Sequence, residues 1–135
     1  MNIRAFLHSK LARGVLSGFA GFAAYGGWAY FINLQHGTQA GLKAGLTQGT
    51  YSFFLTLVLA LVMESLFHLY REPRTQFWFT FMLTCCLLYF SSWGINALSG
   101  TPEILLTILP GSIIGTIYTF AYTLTLSKLQ AAKAV

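Results

Sequence analysis

The sequence predicts an all-α membrane protein: a bundle of four transmembrane helices made from two tandem hairpins of the same orientation. Three observations predict it. Of the 135 residues, 56% are hydrophobic and only 8% charged, whereas a soluble domain carries about 25% charged residues. Apolar stretches at 14–34, 47–70, 77–98 and 103–127 are each long enough to cross a hydrocarbon core, which takes about 20 helical residues. The second half of the chain also repeats the first. Tyr25, Trp28, Ile32 with Asn33, and Gly37 with Thr38 are answered about 64 residues later by Tyr89, Trp93, Ile95 with Asn96, and Gly100 with Thr101. The runs that begin at Gly49 and Gly115 also align, with one inserted residue. A duplication of this kind implies two equivalent units, here hairpins 14–70 and 77–133 related by a pseudo-two-fold along the membrane normal. A barrel is excluded because runs such as 53–62 do not alternate. The whole of 1–135 reads as one membrane domain.

The net charge of +5 does not point to nucleic acid, because the basic residues sort by side. Arg4, Lys10, Arg13, Arg71, Arg74, Lys128 and Lys133 fall on one side of the spans and only Lys43 on the other. The positive-inside rule then places both termini in the cytoplasm, and a bacterial inner membrane is the expected location. Residues 1–13 carry Ile3, Phe6, Leu7 and Leu11 on one helical face beside Arg4, Lys10 and Arg13. This reads as a cytoplasmic amphipathic segment held by apolar burial and anionic lipid. A cleaved signal peptide is the rival reading, but its removal would delete the first half of the repeat.

The first span is poor in large aliphatics and rich in Gly14, Ser17, Gly18, Gly21, Gly26 and Gly27. Small residues let helix backbones approach closely in lipid, so this span is expected at the centre of the bundle. Before the second span, Gly37, Gly41, Gly45 and Gly49 form a four-spaced close-packing row, and Gln35, Gln39, Lys43 and Thr47 a polar row. Thr38 is the expected N-cap. The segment either extends the helix beyond the bilayer or bends near Gly45–Gly49 into the interface. The third span holds Cys85 and Cys86 side by side. Adjacent helical positions point in different directions, so no disulfide is expected between them. In the fourth span, Thr101 and Pro102 suit a helix start, and Pro110 is expected to break the helix. Gly111 and Gly115 then open a second small-residue row suited to helix packing.

Few residues could carry chemistry. Glu64 is the only acid well inside a span, with His68 one turn later on the same face. A carboxylate there is costly unless paired, and such residues often mark ion or proton routes. The pair is the candidate ion, proton or substrate site, joined by the repeat-related polar residues Asn33 and Asn96. Lys43 and Glu103 are the outer charges and are expected to pair or to meet headgroups. There is no Asp, no nucleotide loop and no ligand-spaced His or Cys set. Neither a metal nor a cofactor is expected, and nothing points to an enzyme. Small multidrug resistance transporters share the length and helix count. They carry an essential glutamate in the first span, and this chain has none there, so no family is assigned. Two functional expectations remain. One is transport, or translocation of a lipid or solute. The other is an accessory or assembly subunit that packs through its glycine faces. The expected partners are membrane lipids and either a second copy or another membrane protein.

Overall fold

The computed structural model describes residues 3–135. A short helix α1 (Ile3–His8) precedes α2 (Lys10–Asn33), and a 3-10 turn leads on to α3 (Thr38–Phe67). Helices α4 (Pro73–Leu98) and α5 (Ile104–Lys133) complete the chain. Four helices are long and apolar enough to cross a membrane, as in a multi-pass membrane protein. The polarity of the bundle is inverted relative to a soluble protein. Asn33, Gln48, Gln76, Thr80, Thr107 and Thr119 are buried, while Phe19, Phe54, Phe90, Leu98 and Ile117 face outward. That is the arrangement expected where lipid tails are the solvent, because a polar group facing hydrocarbon needs an internal partner.

Neighbouring helices run antiparallel. Along α2 and α3, Gly14 faces Leu57, Gly18 faces Phe53, and Gly26 faces Gly45 and Gly49. Between α4 and α5, Gly115 faces Leu88 and Phe120 packs on Phe77 and Phe81. Helix α3 also touches α4 and α5. Helices α2 and α4 share no contact among the described residues, so they lie across the bundle from one another. The α2–α3 seam is the closest. A Cβ added to Gly26 would stand 2.9 Å from the Gly45 carbonyl oxygen, and one at Gly41 would stand 3.0 Å from that of Tyr30. Gly49 meets the ring of Phe22. Gly37 does not join this row. It sits in the turn at φ 108° with open space around it, and Gly100 occupies the other turn at this end of the bundle, termed the outer end and the opposite one the inner end, at φ 70°. Both conformations favour glycine.

Several helix ends differ from expectation. Thr38 is the first helical residue rather than the cap, and the capping residue Gly37 has no side chain to bond. Residues 37–49 do not break away, since α3 is one continuous helix of 30 residues, about 45 Å long. It ends at Phe67 rather than Tyr70, and His68 closes it. Thr101 and Pro102 lie in the turn before α5, which starts at Ile104. Pro110 does not break α5. It cannot donate to the carbonyl one turn back, and that carbonyl, of Leu106, accepts the indole Nε1 of Trp28 at 2.8 Å instead. At the other end of the bundle, Ser9 caps α2 through its hydroxyl and Glu72 caps α4. Cys85 is buried, Cys86 is exposed, and both are free thiols. In the amphipathic segment Ile3 and Leu11 are exposed. The side chains of Phe6, Leu7, His8 and Lys10 lie outside the described residues.

Candidate functional site

The polar residues of the bundle gather at three levels. At the outer level are the two asparagines. Asn33 and Asn96 are each 0% exposed, and each amide Nδ2 donates back to the carbonyl four residues earlier, Ala29 and Ser92. Each also reaches across the bundle. Asn33 Nδ2 donates to Thr107 Oγ1 at 2.8 Å, and its Oδ1 accepts the Glu103 backbone N–H at 3.0 Å. Asn96 Nδ2 donates to Gln48 Oε1 at 2.7 Å, and its Oδ1 accepts the Thr101 hydroxyl at 3.0 Å. Asn33 thus ties α2 to the start of α5, and Asn96 ties α4 to α3 and to the last turn. Buried amides with both ends satisfied act as braces, since any loosening leaves an unpaired polar group in a dry site. Neither asparagine is in the lining of the two cavities described below.

Glu103, expected to pair with Lys43 or to meet a headgroup, stands against His36. The Glu103 Oε1 lies 3.0 Å from His36 Nε2, linking the two outer turns. This is the one ion pair among the described residues, and it carries full charge only when His36 is protonated.

The middle level holds a cavity of about 400 Å³ to which α2, α3, α4 and α5 all contribute. Its walls include Leu55, Leu59, Leu88 and Ile114, and its polar lining includes Tyr25, Gln48, Ser52, Ser92 and Tyr118. Gln48 is buried. Its oxygen is taken by Asn96, and its Nε2 has no hydrogen-bond acceptor among the described residues. Gly111 leaves room beside it, since a Cβ there would sit 3.9 Å from Gln48 Nε2 and 3.8 Å from the Tyr25 ring. The cavity runs toward Arg13 and Ser17, both exposed. Among the described residues, the hydrogen bonds that join α2 to α5 and the residue before it lie at the outer end, from Trp28 to Leu106 and from Asn33 to Thr107 and Glu103. Below them the cavity continues as a groove walled by α2, α3 and α5.

The inner level holds Glu64. It is half-buried on α3, and its Oε1 accepts the Tyr122 hydroxyl of α5 at 2.5 Å. The Tyr122 ring stacks on Tyr118, centroids 5.7 Å apart and planes at 23°. Tyr118 lines the groove, whereas Glu64 lines a second cavity of about 400 Å³ together with His68, Arg71, Gln76 and Lys133. The tyrosine pair therefore stands between the two spaces. His68 shares the inner cavity with Glu64, and its backbone N–H donates to the Glu64 carbonyl at 3.3 Å, but no bond joins its ring to the Glu64 carboxylate among the described residues. Its ring is exposed and packs edge-on against Phe67. Gln76 does not reach Glu64 either, because its Nε2 donates to the Phe67 carbonyl at 3.0 Å and closes the inner turn.

Reasoning from sequence missed the residues that make the groove. Gln48 stands one position beyond the polar row that ends at Thr47, and Arg13 counted toward the topology and the amphipathic segment, not toward a cavity in the bundle. An uncharged amide inside an apolar span was the signal for Gln48. Nothing in the sequence marked Tyr122 as the partner of Glu64, 58 residues away. No group of three or more potential metal ligands is present among the described residues. Compared with known proteins, the chain matches no family model, no curated protein and no solved structure.

Proposed function

We propose that this chain is a transport protein of a bacterial inner membrane that moves an amphiphile along the groove walled by α2, α3 and α5. In this reading the two hairpins face the same way and both termini are cytoplasmic, in line with the seven-to-one basic asymmetry. The observation that carries the reading is the groove itself. It reaches the middle of the bundle, is lined by neutral polar groups, and keeps an unused amide donor at its deep end in Gln48. An unused donor inside a membrane protein is costly unless a ligand or water meets it. Transporters commonly place substrate sites near the midplane of duplicated folds.

Two further features fit. The outer end is sealed by the Asn33 and Asn96 braces, so the groove is entered from the Arg13 end. Glu64 is the acid in the lining of the inner cavity. Its hydroxyl partner Tyr122 leans on Tyr118, and Tyr118 lines the groove, so a change of charge at Glu64 is felt there through two stacked rings. The accessory-subunit reading called for small-residue faces turned outward. Gly41, Gly45 and Gly49 are turned against α2 instead.

The test is movement of a fluorescent lipid between leaflets of liposomes that hold the purified protein. Faster movement than in empty liposomes, reduced by Ser17→Phe in the groove, supports the reading. Rates equal to empty liposomes, or unaffected by filling the groove, overturn it.

A further inference from the structure

We infer that the groove binds one anionic phospholipid, with its phosphate on the Arg13 guanidinium and an acyl chain along Leu59, Leu55 and Ile114. This deepens the proposed function by naming the class of amphiphile, and it rests on the same groove.

Charge is the first argument. Arg13 lines the groove and has no ion pair among the described residues. Its side chain is exposed at the end of the bundle where Arg71 and Arg74 also lie. A guanidinium recognises phosphate by paired, charge-assisted hydrogen bonds. The lining that Arg13 shares contains no acidic residue that would compete.

Length is the second argument. From Arg13 to Tyr25 is 12 residues of α2, about 18 Å along the helix. One leaflet of the hydrocarbon core is about 15 Å deep. A groove of this depth, with a cation at its mouth and leucines along its wall, matches one lipid of one leaflet. A small water-soluble anion would leave most of the apolar wall uncovered. The neutral donors farther in, from Ser17 to Gln48, are then the successive partners for the headgroup as it moves.

Native mass spectrometry of the detergent-purified protein tests the inference with phosphatidylglycerol and phosphatidylcholine as probes. The wild type should retain one phosphatidylglycerol per chain in preference to phosphatidylcholine. Arg13→Gln should weaken that retention about tenfold or more, the size of a charge-assisted bond. Lys128→Gln, which removes a charge outside the groove, should leave it unchanged. Ser17→Phe should lower retention while keeping Arg13. Equal retention of the two lipids overturns the inference. So does equal loss in Arg13→Gln and Lys128→Gln, which would show attraction to the basic end as a whole. Melting temperatures of the variants confirm that they are folded. Retention that depends on Arg13 without any lipid movement in liposomes overturns the transport reading and leaves this one standing.

Discussion

The indole Nε1 of Trp28 donates to the carbonyl of Leu106 at 2.8 Å, and that carbonyl is the one Pro110 leaves without a partner. A proline in a membrane helix is tolerated when a neighbour satisfies the freed carbonyl, and here the neighbour is a different helix. The consequence is a coupling that mutation can expose. Trp28→Phe should destabilise the bundle by about 1 kcal/mol, since it leaves the acceptor bare. In a Pro110→Ala background the backbone N–H of residue 110 can close the helix onto Leu106, so the same change should cost less. A double-mutant cycle on unfolding in mixed micelles measures this. Costs that simply add would show that the indole bond does not compensate for the proline.

The two buried asparagines should behave as braces with different loads. Asn33→Ala removes the acceptor of the Glu103 N–H and the donor to Thr107, so both ends of an α2–α5 tie are lost. Asn96→Ala unties Gln48 and Thr101. Each should lower stability by about 1–2 kcal/mol, the upper part of the range for polar contacts in membrane bundles. Unfolding titrations of the two variants decide this, and wild-type stability in both would show that the amides are not braces.

Gly26 and Gly27 are adjacent in sequence and should respond in opposite ways to alanine. At Gly26 the new Cβ meets the Gly45 carbonyl oxygen at 2.9 Å and the Gly49 Cα at 3.1 Å, both backbone atoms that cannot rotate away. Gly26→Ala should therefore destabilise by about 1–3 kcal/mol through overpacking. A Cβ added at Gly27 would meet no neighbouring atom within 4 Å beyond its own turn of helix, so alanine there should be neutral or slightly stabilising by helix propensity. Melting temperatures of the pair compare them directly.

Glu72 should give the inner turn an acid sensitivity. Its carboxylate accepts the backbone N–H groups of Arg74 at 3.1 Å and Thr75 at 2.5 Å. The bonds from Thr75, then that from Arg74, hold its pKa below the ordinary glutamate value. A depressed carboxylate pKa adds stability that is complete above the unfolded value and is lost as pH falls through the folded one. The wild type should therefore lose melting temperature relative to Glu72→Gln as pH drops below about 4.5. The difference between the two proteins isolates Glu72 from the other carboxylates. A constant difference across that range would rule out the ionised cap.

Legibility in the sequence divided along a physical line. The four spans could be read because length and apolar content are local properties. The four-residue spacing of the glycines is local too, but which of them meet a neighbour is not, and Gly37 lies in a turn with open space around it. What could not be read were the partners. Pro110 looked like a break because helix rules for water assign the freed carbonyl to solvent, whereas Trp28 meets it from 78 residues away. Thr38 and Thr101 looked like caps, but the positive φ of Gly37 and Gly100 sets where each turn closes. Asn33 and Asn96 stood out as polar residues in apolar runs, yet their ties to Thr107 and Gln48 depend on how the helices pack. The groove was illegible for the same reason, since its lining comes from four helices and no one segment contains it.

Glu64 carries the last prediction, because its partner is Tyr122 rather than His68. The two variants that matter separate charge from bonding. In Glu64→Gln the amide oxygen still accepts the Tyr122 hydroxyl, so the contact with α5 survives and the negative charge does not. Stability should hold or rise, since a charge inside a span is costly to bury. Tyr122→Phe keeps the charge and removes its donor, leaving the carboxylate to its own desolvation. This should lower stability by about 1–3 kcal/mol. His68→Ala should change little, because the ring is exposed and bonds to nothing in the inner cavity. If the carboxylate works in transport, Glu64→Gln should stop lipid movement in liposomes at unchanged melting temperature, while Tyr122→Phe should slow it. A Glu64→Gln protein that is as stable and as active as the wild type would remove Glu64 from both roles. The groove and its Arg13 mouth would then be the only part of the bundle left to carry the function.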